Sequence, residues 1–218
     1  MGTTESGADL EGIIERVRAD LTRKSEIRDR ALQRSRSMIR FCANCIRAAH
    51  RHEYDVARSL LAEAREAARE MVDEARTYND IYYAGYVQDA MKELAEAAIV
   101  VSVVTGEPYP DPDAMGIEYP AYLNGLGEAA GEMRRYALDS IRRGNVEGAE
   151  RLLSAMEDIY TYLVTMDFAD SMTGGLRRTT DMVRGVTERT RGDLTTAVRQ
   201  ERLQESLQSL EERLNEGE

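Results

Sequence analysis

Four glutamates stand out because they form two pairs at helical spacing. Glu93 and Glu96 are three apart in "KELAEAAIVVS", residues 92–102, and Glu128 and Glu132 are four apart in "NGLGEAAGEMRRYALDS". Glu96 is set among alanine, isoleucine and valine, where burying a carboxylate is costly unless something compensates its charge. Carboxylates from two neighbouring helices could hold Mg²⁺, which prefers a few carboxylates together with water and phosphate oxygens. Because bound Mg²⁺ activates water and offsets phosphate charge, this pattern points to phosphodiester hydrolysis.

The helical phase distinguishes the two pairs. At 100° per residue, Asp89, Glu93 and Glu96 fall within a wedge of about 60° whose next turn is apolar. Glu128 and Glu132 stack on one face, away from the apolar stripe of their own helix. Ordinary surface contacts therefore stay an alternative for the second pair, whereas the position of Glu96 favours a functional role.

Other kinds of reactive group are poorly represented. The sequence has no G-x-S-x-G turn and no glycine-rich phosphate loop followed by Lys-Ser/Thr. Cys42 and Cys45 are the only cysteines, and their uninterrupted helical surroundings favour two small residues on a helix face over a zinc or redox pair. His50 and His52 are the only histidines, and neither completes the Glu-x-x-His motif of a di-iron bundle.

Composition limits the class of protein. The 218 residues carry a net charge of −11 and are 42% hydrophobic, which is enough for one substantial core. The excess of acid argues against unaided non-specific binding of nucleic acid, although five arginines between Arg28 and Arg40 form a local basic track. No apolar run is long enough to span a bilayer. We expect a cytoplasmic protein that has no membrane segment.

The spacing of apolar residues predicts an all-α protein. All four prolines fall between Pro108 and Pro120, and alternating strand patterns are absent. We predict a single domain over 1–218, an antiparallel bundle of six to seven helices, with 1–8 and 214–218 disordered. The third and fourth helices, which carry the glutamates, are expected to form an antiparallel hairpin around a loop at 106–118. The predicted helices cover about 9–50 with a break near Ser25, 53–76, 78–105, 119–143, 145–168, and the stretch from the "TGG" break to 213.

Four segments together resemble the translin family, and the translin-associated factor X (Trax) branch more than translin itself. "LQRSRSMIRFCANCIRAAHR" has Ser-Arg and His-Arg pairs at the separation seen in the family, and "MKELAEAAIV" resembles an E-x-x-E-A motif. "YLNGLGEAAGEMRRYALDSIRRGN" resembles D-Y-x-x-G, D/E-x-x-x-E-x-x-R and N-S-V-x-x-G in succession, and "LRRTTDMVRGVTERTRGDL" resembles L-R-K-x-x-D-x-L-K. The similarity covers about residues 25–205, and its specificity lies in the order and spacing of the motifs.

The resemblance implies an all-helical, translin-like fold that assembles into hollow, mostly octameric particles. For the Trax branch it also implies a Mg²⁺-dependent endoribonuclease acting on single-stranded RNA at an acidic site inside the shell. Carried over position by position, the acidic residues of that site are Glu93, Glu96, Glu128 and Glu132, the same four that spacing selects. The family has aspartate at the position of Glu128, which is one methylene longer.

Two functions follow as alternatives. In the first, the four glutamates are the catalytic and metal-binding residues of an endoribonuclease that uses Mg²⁺ or Mn²⁺. In the second, a translin-like protein binds single-stranded RNA or DNA in a shell and cleaves nothing. For both we expect a homo-oligomer, with an octamer favoured, and nucleic-acid contacts from Arg36, Arg51, Arg177 and Arg178. The segment "YYAGYVQDA" supplies three tyrosines, Tyr82, Tyr83 and Tyr86, for which stacking on bases and packing in the core are both open.

Overall fold

The computed structural model describes residues 6–216, and this part of the chain forms nine helices and no strands. The all-α fold class is therefore confirmed. Six helices are long and three are single turns: α1 (Ser6–His50), α2 (Tyr54–Ala75), α3 (Asn79–Tyr82), α4 (Gly85–Thr105), α5 (Pro112–Met115), α6 (Tyr119–Arg142), α7 (Val146–Leu163), α8 (Asp170–Thr173) and α9 (Leu176–Glu216). No described helix combines the length and the apolarity that crossing a membrane requires.

The helix boundaries differ from the predicted ones in three places. α1 continues through Ser25 without a break. The third predicted helix is divided into α3 and α4, because Ala84 adopts an extended conformation between them. The fifth ends at Leu163, and the short α8 follows it. The disorder predicted for 1–8 and 214–218 falls partly on residues outside the described range, and the single domain stays a prediction.

α1 and α2 form an antiparallel pair. Arg30 contacts Glu74 at 2.9 Å, and Arg34, one turn further along α1, contacts Glu70, one turn earlier on α2, at 3.2 Å. Between the two helices, α2 buries an alanine-rich stripe that includes Ala57, Ala64, Ala68 and Ala75, although Val56 near its start is exposed. As a result, the C-terminal end of α1 and the α2–α3 turn lie at opposite ends of the bundle.

α4 and α6 run parallel to each other, so the predicted antiparallel hairpin is wrong. Close to the N-terminal ends of both helices, the Tyr82 hydroxyl donates to Glu118 at 2.8 Å. Further along both, Lys92 contacts Glu128 at 2.7 Å. The connection makes this possible: the 21-residue α4 is about 31 Å long, and an extended chain over 106–118 can reach about 43 Å. The proline-rich segment therefore does not form a tight turn. It runs back along the bundle from the C-terminal end of α4 to the start of α6.

α4 lies at the centre of the bundle. Every residue from Leu94 to Ser102 is buried, and the helix packs against α1, α2 and α6. Such a helix has no polar face in this stretch, which is why its sequence is apolar on nearly every side. Glu96 is the one carboxylate within this buried stretch.

Candidate metal centre

A close approach of α4 and α6 at Gly125 sets the distance between the two pairs of glutamates. A Cβ added at Gly125 would stand 2.6 Å from the carbonyl oxygen of Lys92 and 3.0 Å from the amide nitrogen of Glu96. The two backbones can come this near only because position 125 has no side chain. Glu128 follows almost one turn later on α6, so its side chain lies against Glu93 and Glu96.

Three of the four predicted carboxylates converge. Glu93, Glu96 and Glu128 each place one carboxylate oxygen within 4.8 Å of the other two. Glu96 is buried, with 9% of its surface exposed, while Glu93 and Glu128 are half-buried. Among the described side chains, those of residues 10–215, this is the only such group of three histidine, cysteine, aspartate or glutamate residues. Glu132 lies outside it.

The cluster holds more negative charge than its surroundings compensate. Burial raises the pKa of Glu96 to about 8, and the charges of Glu93, Glu128 and Glu132 add to the rise while Lys92 opposes it. Burial and the charge of Glu128 also raise the pKa of Glu93. In the protein without a cation, Glu96 therefore holds a proton at neutral pH. A divalent cation would offset the repulsion that adds to the effect of burial on both pKa values.

One cation of the chain itself already contacts the cluster. The Nζ of Lys92 lies 2.7 Å from Oε1 of Glu128, and both side chains are partly buried. Burial lowers the pKa of Lys92, but the hydrogen bond to Glu128 and the charges of Glu128 and Glu93 outweigh it and raise the pKa above its ordinary value. Lys92 is therefore an ammonium, and it compensates one of the negative charges.

His50 holds Glu132 apart from the other three carboxylates. Nε2 of His50 lies 2.5 Å from Oε2 of Glu132, and this hydrogen bond lowers the pKa of Glu132 against the effect of burial. The His50 ring is buried at the end of α1 and stacks on Tyr136 with centroids 4.7 Å apart. The sequence did not identify His50 as a site residue, because its partner is 82 positions away in the chain. Its one signal was the His-Arg pair in the family-like segment.

The donor set fits a hard divalent cation. All three converging ligands are carboxylate oxygens, and Mg²⁺ takes one or two such ligands with water and phosphate oxygens filling the remaining positions. Sulfur ligands are not available to a metal here, because Cys42 and Cys45 of α1 are free thiols buried in the core of the bundle. Burial raises the pKa of both, that of Cys45 to about 11. Neutral thiols of this kind are poor metal ligands.

A cleft of about 920 Å³ opens beside the carboxylates, and Lys92 and Glu128 form part of its wall. α4, α6, α8 and the start of α9 surround it, and we call it the α4–α9 cleft. Arg178 also lines the cleft, so its wall carries a second cation besides Lys92. Tyr83 also lines it and leaves 61% of its surface exposed. The cleft thus combines two cations and an aromatic face with the carboxylates of Asp89, Glu118, Glu128 and Asp170.

The four predicted arginines do not converge. Arg178 lines the α4–α9 cleft, but the neighbouring Arg177 lines a separate groove between α7 and α9, 3.9 Å from Asp167. Arg36 is exposed on α1. Arg51 is engaged by Glu53 at 2.6 Å just beyond the end of α1. Only Arg178 shares a surface with the carboxylates.

Comparison with known proteins gives relatives over most of the chain. AfC3PO in complex with duplex RNA is 34% identical, with a TM-score of 0.79 over 84% of this chain and 95% of that one. A second structure of AfC3PO is 33% identical, with the same TM-score over 84% and 96%. C3PO proteins are of the translin and Trax type.

More distant similarities agree with this result. Apo-NeC3PO is 22% identical, with a TM-score of 0.73 over 90% of this chain and all of that one, and shares the fold. An uncharacterized protein of Methanocaldococcus jannaschii is 28% identical over 193 residues, which are 88% of this chain and 85% of that protein. No family model matches the sequence.

Proposed function

This chain belongs to the translin family, and we propose that it is a Mg²⁺-dependent endoribonuclease of the Trax branch that hydrolyses RNA inside a hollow homo-oligomeric shell. The observation that carries the proposal is the convergence of Glu93, Glu96 and Glu128 within 4.8 Å. A protein that only binds nucleic acid gains nothing from three carboxylates placed where phosphates would approach, because their charges repel the ligand.

Glu93, Glu96 and Glu128 would hold the cation. A bound Mg²⁺ or Mn²⁺ supplies an activated water and neutralises charge on the phosphate. The exposed side of the cluster faces the α4–α9 cleft through Glu128, so the substrate has a way in. In the hydrolysis, water attacks phosphorus, the P–O ester bond breaks, and the leaving oxygen takes up a proton.

Glu132 has a different role from the other three. Because the hydrogen bond from His50 lowers its pKa, Glu132 stays a carboxylate at neutral pH. Its charge contributes to the raised pKa of Glu96, so it lies close to the cluster without joining it. We assign to it the orientation of the attacking water, with one of its oxygens already fixed by Nε2 of His50.

RNA is the substrate that the relatives and the cleft favour. The AfC3PO structure contains duplex RNA, whereas the Trax resemblance implies single-stranded RNA. In this chain Arg178 and Lys92 offer two positive charges for the backbone, and the exposed Tyr83 offers a stacking face for an unpaired base. An unpaired base fits that face better than a duplex does, because its ring is free to stack.

The test is cleavage of one labelled RNA presented both as a single strand and as a duplex. Wild-type protein is incubated at high salt with Mg²⁺, Mn²⁺ or EDTA, since the acidic chain is expected to need screening. We expect cleavage of the single strand with either metal and none in EDTA. Glu128→Gln should reduce the rate by about a hundredfold or more, as expected when a metal ligand is lost. Glu63→Gln, which changes an exposed carboxylate of α2, is the matched control.

Two outcomes contradict the proposal in different ways. If the wild type binds the RNA and leaves it intact with every divalent ion, the protein is a translin-like binder of single-stranded RNA or DNA. If a correctly folded Glu128→Gln variant cleaves as fast as the wild type, cleavage occurs elsewhere and the site assignment is wrong.

The shell is proposed from the family and from exposed apolar residues at the end of α9. Four leucines there follow a spacing of four, three and four and are 51–64% exposed: Leu203, Leu207, Leu210 and Leu214. A short apolar seam of this kind fits a partner helix. Light scattering should give the mass of eight copies of the 24.5-kDa chain. A monomer at micromolar concentration would contradict the shell without affecting the site.

A further inference from the structure

Lys92 is an unusual residue in this chain. Only Lys24 and Lys92 are lysines, and arginine supplies every other basic side chain apart from the two histidines. Lys92 precedes Glu93, and its Nζ lies 2.7 Å from a carboxylate oxygen of Glu128. An ammonium is a compact charge on a flexible stem, whereas a guanidinium binds carboxylates as a rigid fork. At this position the chain therefore carries the cation that exchanges partners more readily.

The same glutamate contributes to two arrangements. Glu128 offers one oxygen to the group of three carboxylates and accepts a hydrogen bond from Lys92. A divalent cation bound to Glu128 would lie within a few ångströms of the ammonium and would repel it. Glu128 can therefore neutralise either the ammonium of Lys92 or the divalent cation, but it cannot fully neutralise both at the same time.

The cleft beside Lys92 offers the ammonium a second binding partner, a phosphate. Lys92 lines the α4–α9 cleft together with Arg178. A phosphate bound in this cleft near Glu128 would be within reach of the lysine stem after a change of rotamer. The phosphate and the carboxylate are then alternative partners of one ammonium.

Resting on the proposed function, we propose that Lys92 competes with the divalent cation for Glu128 and, when released from it, binds the RNA phosphate. Lys92 would thus weaken metal binding in the absence of RNA and strengthen RNA binding. A lysine with only a structural role would act on both ligands in the same direction, through the stability of the fold. The opposite signs of the two effects are what distinguishes the proposal.

The experiment measures the two affinities separately with Lys92→Gln. Binding of Mn²⁺ alone to metal-free protein is followed by calorimetry. Binding of a labelled single-stranded RNA is followed by fluorescence anisotropy with saturating Ca²⁺, a divalent cation that occupies Glu128 and so releases Lys92. Lys92→Gln should lower the Kd for Mn²⁺ by about tenfold, because a positive charge beside the site is removed. It should raise the Kd for RNA by about threefold to tenfold, because one phosphate contact is lost.

Two variants serve as controls. Lys24→Gln removes the other lysine, which pairs with Asp80 at 2.6 Å away from the cluster, and should change either Kd by less than about twofold. Lys92→Arg keeps the charge and should retain most of the RNA affinity. It also shows whether an effect of Lys92→Gln arises from lost charge or from disturbed packing.

The inference and the proposed function fail in different ways. If Lys92→Gln binds Mn²⁺ no more tightly than the wild type, or binds RNA equally well, the role of Lys92 is refuted while the nuclease proposal stands. If the wild type binds no Mn²⁺ under any condition, the metal site is refuted, and the competition at Glu128 with it.

Discussion

Replacing Glu96 by glutamine should make the metal-free protein more stable while it removes the activity. Glu96 is a carboxylate in the most buried part of α4, with three other carboxylates near enough to raise its pKa. Glutamine has nearly the same shape and cannot ionise. The substitution therefore removes an electrostatic cost and leaves the packing almost unchanged.

The size and sign of the effect follow from the pKa. In the unfolded chain Glu96 has its ordinary pKa of 4.5, and in the fold the value is about 8. A group whose pKa is raised by folding destabilises the protein increasingly as pH rises from the lower value to the higher one, and constantly above it. At 1.36 kcal/mol for each unit of pKa, the cost reaches about 3 kcal/mol at pH 7 and at most about 5 kcal/mol above pH 8. Below pH 4.5 it vanishes.

The measurement is urea unfolding in EDTA at pH 5 and pH 8.5, at one protein concentration because assembly contributes to stability. Glu96→Gln should exceed the wild type in free energy of unfolding by a few kcal/mol at pH 8.5 and by less than about 1 kcal/mol at pH 5. Glu63→Gln should match the wild type at both values. Equal or lower stability of Glu96→Gln at pH 8.5 would refute the claim that folding raises the pKa of Glu96.

Three further predictions concern the same region. Binding of Mn²⁺ must displace the proton of Glu96, so the affinity of the protein for Mn²⁺ should rise by up to about tenfold for each pH unit towards pH 8 and then level off. Calorimetry in two buffers of different ionisation enthalpy should show that protons are released on binding at pH 7. Gly125→Ala should cost about 2–3 kcal/mol in urea unfolding, because its Cβ meets backbone atoms of α4, and Mn²⁺ binding should weaken with it. Arg178→Ala should raise the Kd for RNA by about threefold or more, whereas Arg177→Ala should change it less than about twofold in the same anisotropy assay.

The acidic pair of α4 could be found from the sequence because its signal is local. Glu93 and Glu96 lie on one helix, and the apolar neighbours of Glu96 in the chain indicated that this helix is buried. Helical phase alone places them on one face. The same reasoning could not decide about Glu128, because burial of that residue depends on which helix packs against α6.

The direction of packing could not be predicted from such local signals. Helices joined by a proline-rich segment of 13 residues can pack antiparallel or, if the segment is extended, parallel. The chain adopts the second arrangement, and contacts such as Tyr82 with Glu118 depend on it. The partnership of His50 with Glu132 is equally long-range. The family resemblance selected all four glutamates, but it did not reveal that one of them is held by a histidine.

The parallel packing also brings two cations into one cleft of a chain with a net charge of −11, and the carboxylates of Asp89, Glu118, Glu128 and Asp170 line the same cleft. It brings the N-terminal halves of α4 and α6 against the start of α9, so Lys92 and Arg178 line one cleft. An antiparallel hairpin would place Glu118 at the far end of α4 and leave that cleft unformed. Since the overall field repels RNA, association must depend on these few local charges. The salt dependence of RNA binding should then be shallow, with a slope of about −0.7 for each phosphate contacted. A steep dependence, typical of many phosphate contacts, would mean that another surface, such as the arginines of α1, carries the RNA.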